Sequence, residues 1–370
     1  MLKKIAFVGL KGIPSKGGGE RVGEAITERL KDKYKITIYC NKRYTPEEYS
    51  SPGIELIRIP TLPGKYLQPL SLFIFSALHA LLLENFDLIH LHYAEAGFIN
   101  PLLRLRYKVV ATSHGPAYSR EKWGKKAKAL IKLMDAPFII FANKVTSVSL
   151  PLANEYEKKW KKKIYYIPNG VEHNMPINKE TALKILRQHG VDGNYILFSA
   201  GRMDRTKGCH LLLKAFSDIE TDLKLVVVGD FGIDPDYYKE LQSLANEKVR
   251  FIPFIADKSE LFGILLGAYI FIFPSTVEAM SMALLEAASL GIPIICSDIP
   301  SNKTVLPEQA LFFRSEDIDN FKEKLEWALT HPAEMREMGL RAQEWVKKEF
   351  SWDLIADKYD KLFQGVMNHG

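Results

Sequence analysis

"YILFSAGRMDRTKGCHLLLKAF", residues 195–216, reads as a strand, a polar loop and a helix in direct succession. The same order opens the chain: "KKIAFVGL" (3–10) is strand-like, a glycine loop follows, and "RVGEAITERLK" (21–31) has a helical pattern. The arrangement therefore starts twice. Between the two starts, "KITIYC", "IELIRI", "DLIHLHY", "KVVATSHG", "KVTSVS" and "KIYYIPNG" supply further short strands, several rich in Val and Ile. After the second start come "LKLVVVGD", "VRFIPF", "AYIFIFPS", "GIPIICSD" and "ALFF", then a helical tail. Strands alternating with helices argue for parallel sheets covered on both faces. The expectation is an α/β chain of two doubly wound domains with the boundary near residues 170–190. Such pairs place ligands in the cleft between them.

The 370 residues, 47% of them hydrophobic and without low-complexity sequence, suffice for two domains. A formal net charge of +6 suggests anionic partners such as nucleotides or lipid headgroups. The apolar run at the N-terminus is too short for a signal-peptide core or a membrane span. Three cysteines, Cys40, Cys209 and Cys296, lack CxxC spacing, so neither a disulfide scaffold nor a structural zinc site is expected, and a cytoplasmic location follows most simply. The most apolar stretch, "YLQPLSLFIFSALHALLLENF" (66–86), carries Gln68, Pro69, Ser76 and His79 and reads as a buried or interface-facing helix rather than a membrane span. The tail "PAEMREMGLRAQEWVKKEFSWDLIADKYDKLFQGVM" reads as two or three amphipathic segments, with Ser351 as a cap and break before Trp352.

Ligands of open parallel sheets bind at the carboxyl ends of the strands, and the unusual residues gather there. Gly12 and Gly17 to Gly19 follow the first strand, where glycine lets a backbone approach phosphate; a merely flexible loop is the other reading. "GLKGIPSKGGGE" is neither GxGxxG nor GxxxxGK[ST], which counts against a nicotinamide dehydrogenase and an NTPase. "SAGRMDRTKG" puts Arg202, Arg205 and Lys207 after a strand, as a metal-free neutraliser of a diphosphate or as solvated loop charge. His114 ends a strand in "ATSHGP", suited to a hydrogen bond or proton transfer near neutral pH. His90 and His92 share one side of a strand; two histidines alone do not make a metal site, and either can be a satisfied core residue.

"STVEAMSMALLEAA" (275–288) keeps two glutamates among small and apolar neighbours. Pro274 ends a strand, Ser281 caps a following helix, and Gly291 with Pro293 ends it. Glu278 then lies in the loop and Glu286 about one turn into the helix. Even in a continuous helix the two would stand about 12 Å apart along the axis and about 80° apart around it, too far to share a proton. They must do different jobs: Glu286 suits ribose hydroxyls and Glu278 can face a sugar, while a buried salt bridge or a place at the solvent edge is the alternative for Glu286.

With these motifs in order, namely "GGGE", "IPNGVE" (167–172), "AGRMDRTKG" (200–208), "VVVGD" (226–230), "FPS" (273–275) and Glu278 with Glu286, the whole chain resembles the retaining, nucleotide-sugar-dependent glycosyltransferases of the large family numbered 4. The resemblance implies the GT-B fold: two facing Rossmann-like doubly wound domains with a deep interdomain cleft. It implies an acceptor-side domain at 1–175, a nucleotide-sugar domain at 176–345, and a C-terminal helix at 346–370 that crosses back onto the first. By the same resemblance Arg202 and Lys207 contact the donor diphosphate, Glu286 the ribose and Glu278 the donor sugar. His114 would stand beside the reacting centre, and Gly18 and Gly19 would approach the phosphates. No cofactor or divalent metal is implied; the co-substrate is a nucleoside-diphosphate sugar, UDP or GDP first. Ala279 stands where the family commonly has glycine, and Pro253 departs likewise, which bears on donor choice.

The implied reaction moves the sugar to an acceptor hydroxyl with retention, in the assembly of cell-surface polysaccharide, lipopolysaccharide or glycolipid. A nucleotide-sugar epimerase and a catalytically silent sugar-nucleotide or glycan binder are the competing readings; the glutamate spacing opposes the first and the intact charged set the second. The acceptor is a saccharide or lipid-linked saccharide. The basic runs "REKWGKKAKALIKL" (120–133) and "YEKKWKKKI" (156–164) are either a solvated face or a contact to an anionic membrane at the inner face of the cell membrane. No nucleic-acid recognition motif is present.

Overall fold

The computed structural model describes residues 1–15, 17–116, 124–172, 174 and 176–368; residues 120–123 of the first basic run lie outside them. The chain divides into two compact units, Met1–Gly170 with Trp352–Gly370, and Val171–Ser351.

The first unit is built on a seven-stranded, all-parallel sheet: β1 (Lys4–Val8), β2 (Lys35–Asn41), β3 (Ile54–Ile59), β4 (Leu88–His92), β5 (Lys108–Ser113), β6 (Lys144–Ser147) and β7 (Ile164–Tyr166), in the order β3-β2-β1-β4-β5-β6-β7. β4 is buried at every residue, β1 and β5 at all but the first, because helices cover both faces. α1 (Gly18–Leu30) follows β1. Across one face lie α2 (Leu67–Leu83), a 3₁₀ turn (Ala94–Ile99), α3 (Asn100–Leu103), α4 (Lys125–Phe141) and α5 (Leu150–Trp160). They close over a core that includes Val8, Leu72, Ala77, Leu91, Val109 and Phe138.

Across the other face α1 packs against the C-terminal helix, Trp352–Asn368. Its apolar stripe of Trp352, Ile355, Tyr359 and Phe363 is buried, and the Tyr34 hydroxyl donates to Asp360 at 2.5 Å. α2 is buried on one side only. Leu72, Phe73, Ala77 and Ala80 face the sheet, while the apolar outer side, with Leu67, Leu78 and Leu82, remains exposed. A helix apolar all round has more such surface than one sheet face can cover. Among the described residues no helix is long and apolar enough to cross a membrane.

The second unit holds a six-stranded parallel sheet: β8 (Tyr195–Ala200), β9 (Lys224–Gly229), β10 (Val249–Pro253), β11 (Ile270–Phe273), β12 (Ile294–Ser297) and β13 (Leu311–Phe313), in the order β10-β9-β8-β11-β12-β13. Its helices are α6 (Lys179–Gln188), α7 (Cys209–Ser217), α8 (Pro235–Leu244), α9 (Lys258–Gly267), α10 (Met282–Ser289), α11 (Pro300–Val305), α12 (Ile318–Thr330) and α13 (Pro332–Glu349). Side chains of Asn178, Asp234, Asp257, Ser281 and Asp317 accept from first-turn amides, so the helix starts are written in the sequence as caps. Pro253, which lacks an N–H, ends the edge strand β10.

Both sheets reverse their strand order once, between β1 and β4 in the first and between β8 and β11 in the second. At such a reversal the connections leave in opposite directions and open a crevice at the carboxyl ends.

Candidate active site

In the second unit the loops after β8 and β11 are tied together. The Thr276 amide donates to the Thr206 carbonyl at 2.8 Å, and Asp204 accepts from the Thr206 amide at 3.1 Å. Gly208 has φ of +70°, and a Cβ there would stand 2.1 Å from the Pro274 carbonyl oxygen, so only glycine permits this approach. The result is a direct pair: Lys207 Nζ lies 2.6 Å from Glu278 Oε1, with side chains 23% and 10% exposed. Arg202 is about half exposed, with Asp204 3.9 Å away. Arg205, grouped with these cations on sequence, is turned elsewhere: it pairs with Glu240 and lies over the Tyr237 ring at 5.0 Å.

Ser281 caps α10 by accepting from the Leu284 amide, which places Glu286 on the buried side of that helix. Glu286 is 5% exposed, and both of its oxygens accept from Lys258 Nζ, at 2.8 and 2.9 Å. The two glutamates thus answer to two lysines.

In the first unit the corresponding crevice joins the glycine loop after β1 to the ends of β4 and β5. Tyr93, immediately after β4, adopts φ +69°, a conformation that bulky side chains rarely take. Its hydroxyl donates to Glu20 Oε1 at 2.9 Å, and its ring stands 4.9 Å from that of His114. A Cβ at Gly19 would meet the Tyr93 hydroxyl at 2.2 Å, whereas Gly18 has open space beside it.

Behind them is a file of histidines. His114 Nε2 is 2.9 Å from His92 Nδ1, with the rings stacked, and His92 lies 4.1 Å from His90 between ring centroids. His90 Nε2 reaches Thr112 Oγ1 at 2.6 Å, and Thr112 in turn meets Thr146 at 2.6 Å. Burial, reinforced by neighbouring histidine charge, holds His90 and His92 well below the usual imidazole range, so both are neutral at pH 7. Among the described residues no group of three His, Cys, Asp or Glu side chains is placed to hold a metal ion.

Two family models match the chain in tandem: Glycosyltransferase Family 4 over residues 16–174 and Glycosyl transferases group 1 over residues 183–345. The chain belongs to the nucleotide-sugar-dependent glycosyltransferases of the GT-B class. The transferase is 29% identical over 342 residues to an Escherichia coli UDP-Gal:alpha-D-GlcNAc-diphosphoundecaprenol alpha-1,3-galactosyltransferase, covering 86% of each chain. It is 25% identical to the N-acetyl-alpha-D-glucosaminyl L-malate synthase of Bacillus anthracis, over 77% of this chain and 76% of that one. Sucrose-phosphate synthase from Thermosynechococcus elongatus superposes with a TM-score of 0.83 at 22% identity, covering both chains fully. Anabaena HepE, crystallised with UDP and glucose, superposes with a TM-score of 0.78 at 18% identity, over 98% of the transferase and 100% of HepE.

Of the site residues expected from sequence, the transferase brings Lys207 to Glu278 and sets Arg202 in the same loop as Lys207. Glu286 sits apart on α10 with Lys258, and His114, Gly18 and Gly19 belong to the first unit. Sequence reading missed Lys258, Tyr93 and Glu20. Glu20 stood in the quoted "GGGE", but Lys258 and Tyr93 carry no local mark.

Proposed function

We propose that the transferase moves a sugar from UDP, or from GDP, to a hydroxyl of a lipid-linked saccharide, with retention at the anomeric carbon, in cell-surface glycan assembly. The observation that carries this reading is the Lys207–Glu278 pair at the strand reversal of the second sheet. A cation and a carboxylate held together there can meet the two ends of a sugar diphosphate. The printed substrates of the E. coli relative, UDP-Gal and a diphosphoundecaprenol-linked sugar, support the donor base and the lipid carrier. UDP in the HepE crystals supports the same base.

In this reading Arg202 and Lys207 receive the charge that grows on the β-phosphate as the glycosidic bond breaks. Glu286 accepts from the ribose hydroxyls, with Lys258 holding the carboxylate in place. Glu278, already bonded to Lys207, orients the sugar and stabilises positive charge at its anomeric carbon without attacking it. The acceptor hydroxyl then approaches the face the phosphate leaves, and the departing phosphate oxygen takes its proton, which yields retention. His114 donates a hydrogen bond to the sugar, and Gly18 and Gly19 leave room for the donor phosphates. The enzyme would work at the cytoplasmic side of a membrane that carries its acceptor.

Metal-free calorimetric titration with UDP, GDP, ADP and their sugar conjugates tests the donor assignment. One nucleotide should bind, and Glu286→Ala should weaken it by about tenfold to a hundredfold, the value of one or two ribose hydrogen bonds to a charged group. Undiminished binding in that variant would remove Glu286 from the site, and no binding by any nucleotide would remove the sugar-transfer reading.

A further inference from the structure

The helix layer over one face of the first sheet is apolar on the side that meets water. α2 exposes Leu67, Leu70, Phe75, Leu78 and Leu82 at roughly helical spacing, Leu82 at 75%. A solvent-facing stripe of this kind is normally polar. The patch extends to α3, which packs against both α2 and α4. Leu105, in the turn after α3, is 81% exposed, and the neighbouring Arg106 donates to the Leu81 carbonyl, which sets this turn on the end of α2. On α4, Leu130 and Ile140 are 59% and 56% exposed. Lys162 closes that helix by donating to the carbonyls of Ile139 at 2.6 Å and Ala142 at 2.5 Å. Apolar surface spread over three elements exceeds the scattered leucines of an ordinary surface.

Its charge is predominantly positive, with half-buried Glu84 closing α2 and half-buried Glu95 in the 3₁₀ turn beside α4 as the neighbouring carboxylates. α4 carries Lys125, Lys126, Lys128 and Lys132, while its single carboxylate, Asp135, is buried at 2% exposure. Arg104 and Arg106 flank Leu105, and Lys65 precedes α2. A second copy of the chain seated two-fold on this face would set lysines against lysines. An anionic lipid surface would satisfy both components at once, with leucines in the acyl boundary and cations among the headgroups.

We infer that the outer face of α2, α3 and α4 rests on an anionic bilayer, with Leu67, Leu78, Leu82, Leu105, Leu130 and Ile140 as its inserted residues. The helices run opposite to the parallel strands, so α2 and α4 begin at the carboxyl edge of the sheet, the edge that carries the glycine loop and His114. An acceptor anchored in the same bilayer would present its sugar at that edge. This last step rests on the sugar-transfer reading; the lipid surface does not.

Cosedimentation of the full chain with vesicles tests the assignment, comparing phosphatidylcholine alone with an equal mixture of phosphatidylcholine and phosphatidylglycerol. The wild type should partition onto the mixed vesicles and little onto the neutral ones, and raising the salt should weaken it. Leu82→Glu and Leu105→Glu should each lower the partition coefficient by about tenfold or more, the loss of one buried leucine. Lys125→Glu with Lys126→Glu should lower it on mixed vesicles alone. Nucleotide titration of every variant, run alongside, checks that each is folded. Absence of binding to mixed vesicles, or undiminished binding by the leucine variants, would overturn the assignment. A dimer in light scattering that Leu82→Glu dissolves, without vesicle binding, would assign the face to a second copy instead. Vesicle binding without any nucleotide binding would leave this surface standing and remove the sugar-transfer reading.

Discussion

His92 Nδ1 and His114 Nε2 face one another at 2.9 Å, one histidine fully buried and the other partly open to solvent. The other nitrogen of His92, Nε2, is buried without a hydrogen-bond partner. An orphaned N–H is the costlier state, so the proton of neutral His92 belongs on Nδ1, pointing at His114. His114 then accepts at Nε2. Replacement of His92 by Phe releases Nε2 of His114 to take a proton. The variant should differ from the wild type on the acid side of its kcat profile, where an imidazolium at His114 would oppose positive charge at the anomeric carbon. Parallel pH profiles would refute this tautomer assignment.

The same burial makes stability sensitive to acid. Below the ordinary imidazole pKa the unfolded chain binds protons at His90 and His92 that the folded chain does not. Stability should therefore be level above a pH of about 6.5 and fall below it, by up to about 1.4 kcal/mol per pH unit for each histidine. Urea unfolding at several pH values measures the slope. His90→Leu should make the acid limb shallower, and an unchanged limb would mean that other groups, such as the half-buried His210, dominate it.

Lys207→Ala should lower kcat by about a hundredfold to a thousandfold, the usual loss when a donor to developing negative charge is removed. Its effect on donor affinity should be smaller. Because Lys207 touches Glu278, the effects of Lys207→Ala and Glu278→Ala on kcat should not add in the double variant. Strict additivity in a double-mutant cycle would mean that the pair seen here does not act as a unit.

The two-domain α/β architecture was legible because strand–loop–helix units repeat and each loop carries its own punctuation. Ser281, Pro274 and Gly291 placed α10 within a residue or two, and with it the separate settings of Glu278 and Glu286. Contacts made across the fold were not legible. Lys258 reaches Glu286 from another helix, and nothing in "ADKSEL" distinguishes it from a surface lysine. Arg205 looked equivalent to Arg202 until Glu240 on α8 claimed it. The stretch 66–86 read as a buried or interface-facing helix, but which side of α2 faces outward was not legible, because a helix apolar all round has no polar side from which exposure can be read.

Tyr93 is the strongest case of information absent from sequence, since only glycine or asparagine would have marked its backbone conformation. Holding Tyr at φ +69° costs about 1–3 kcal/mol, and the backbone hydrogen bonds to Thr112 and from Ala96, the hydrogen bond to Glu20 and the ring contact with His114 all help to retain it. Gly19 is the complement of that position, because its missing Cβ is the space the Tyr93 hydroxyl occupies. Gly19→Ala should push the loop or the ring aside and lower kcat/KM by about tenfold to a hundredfold, as displacements of this size do at active sites. Tyr93→Ala in the same chain removes the obstructing ring and should restore part of the loss, although alone it frees the loop and lowers activity. If Gly19→Ala and the double variant are equally impaired, the glycine is needed for the ligand's approach and not for Tyr93. Steady-state kinetics of the three variants, with thermal unfolding to compare their stability, separates the two roles.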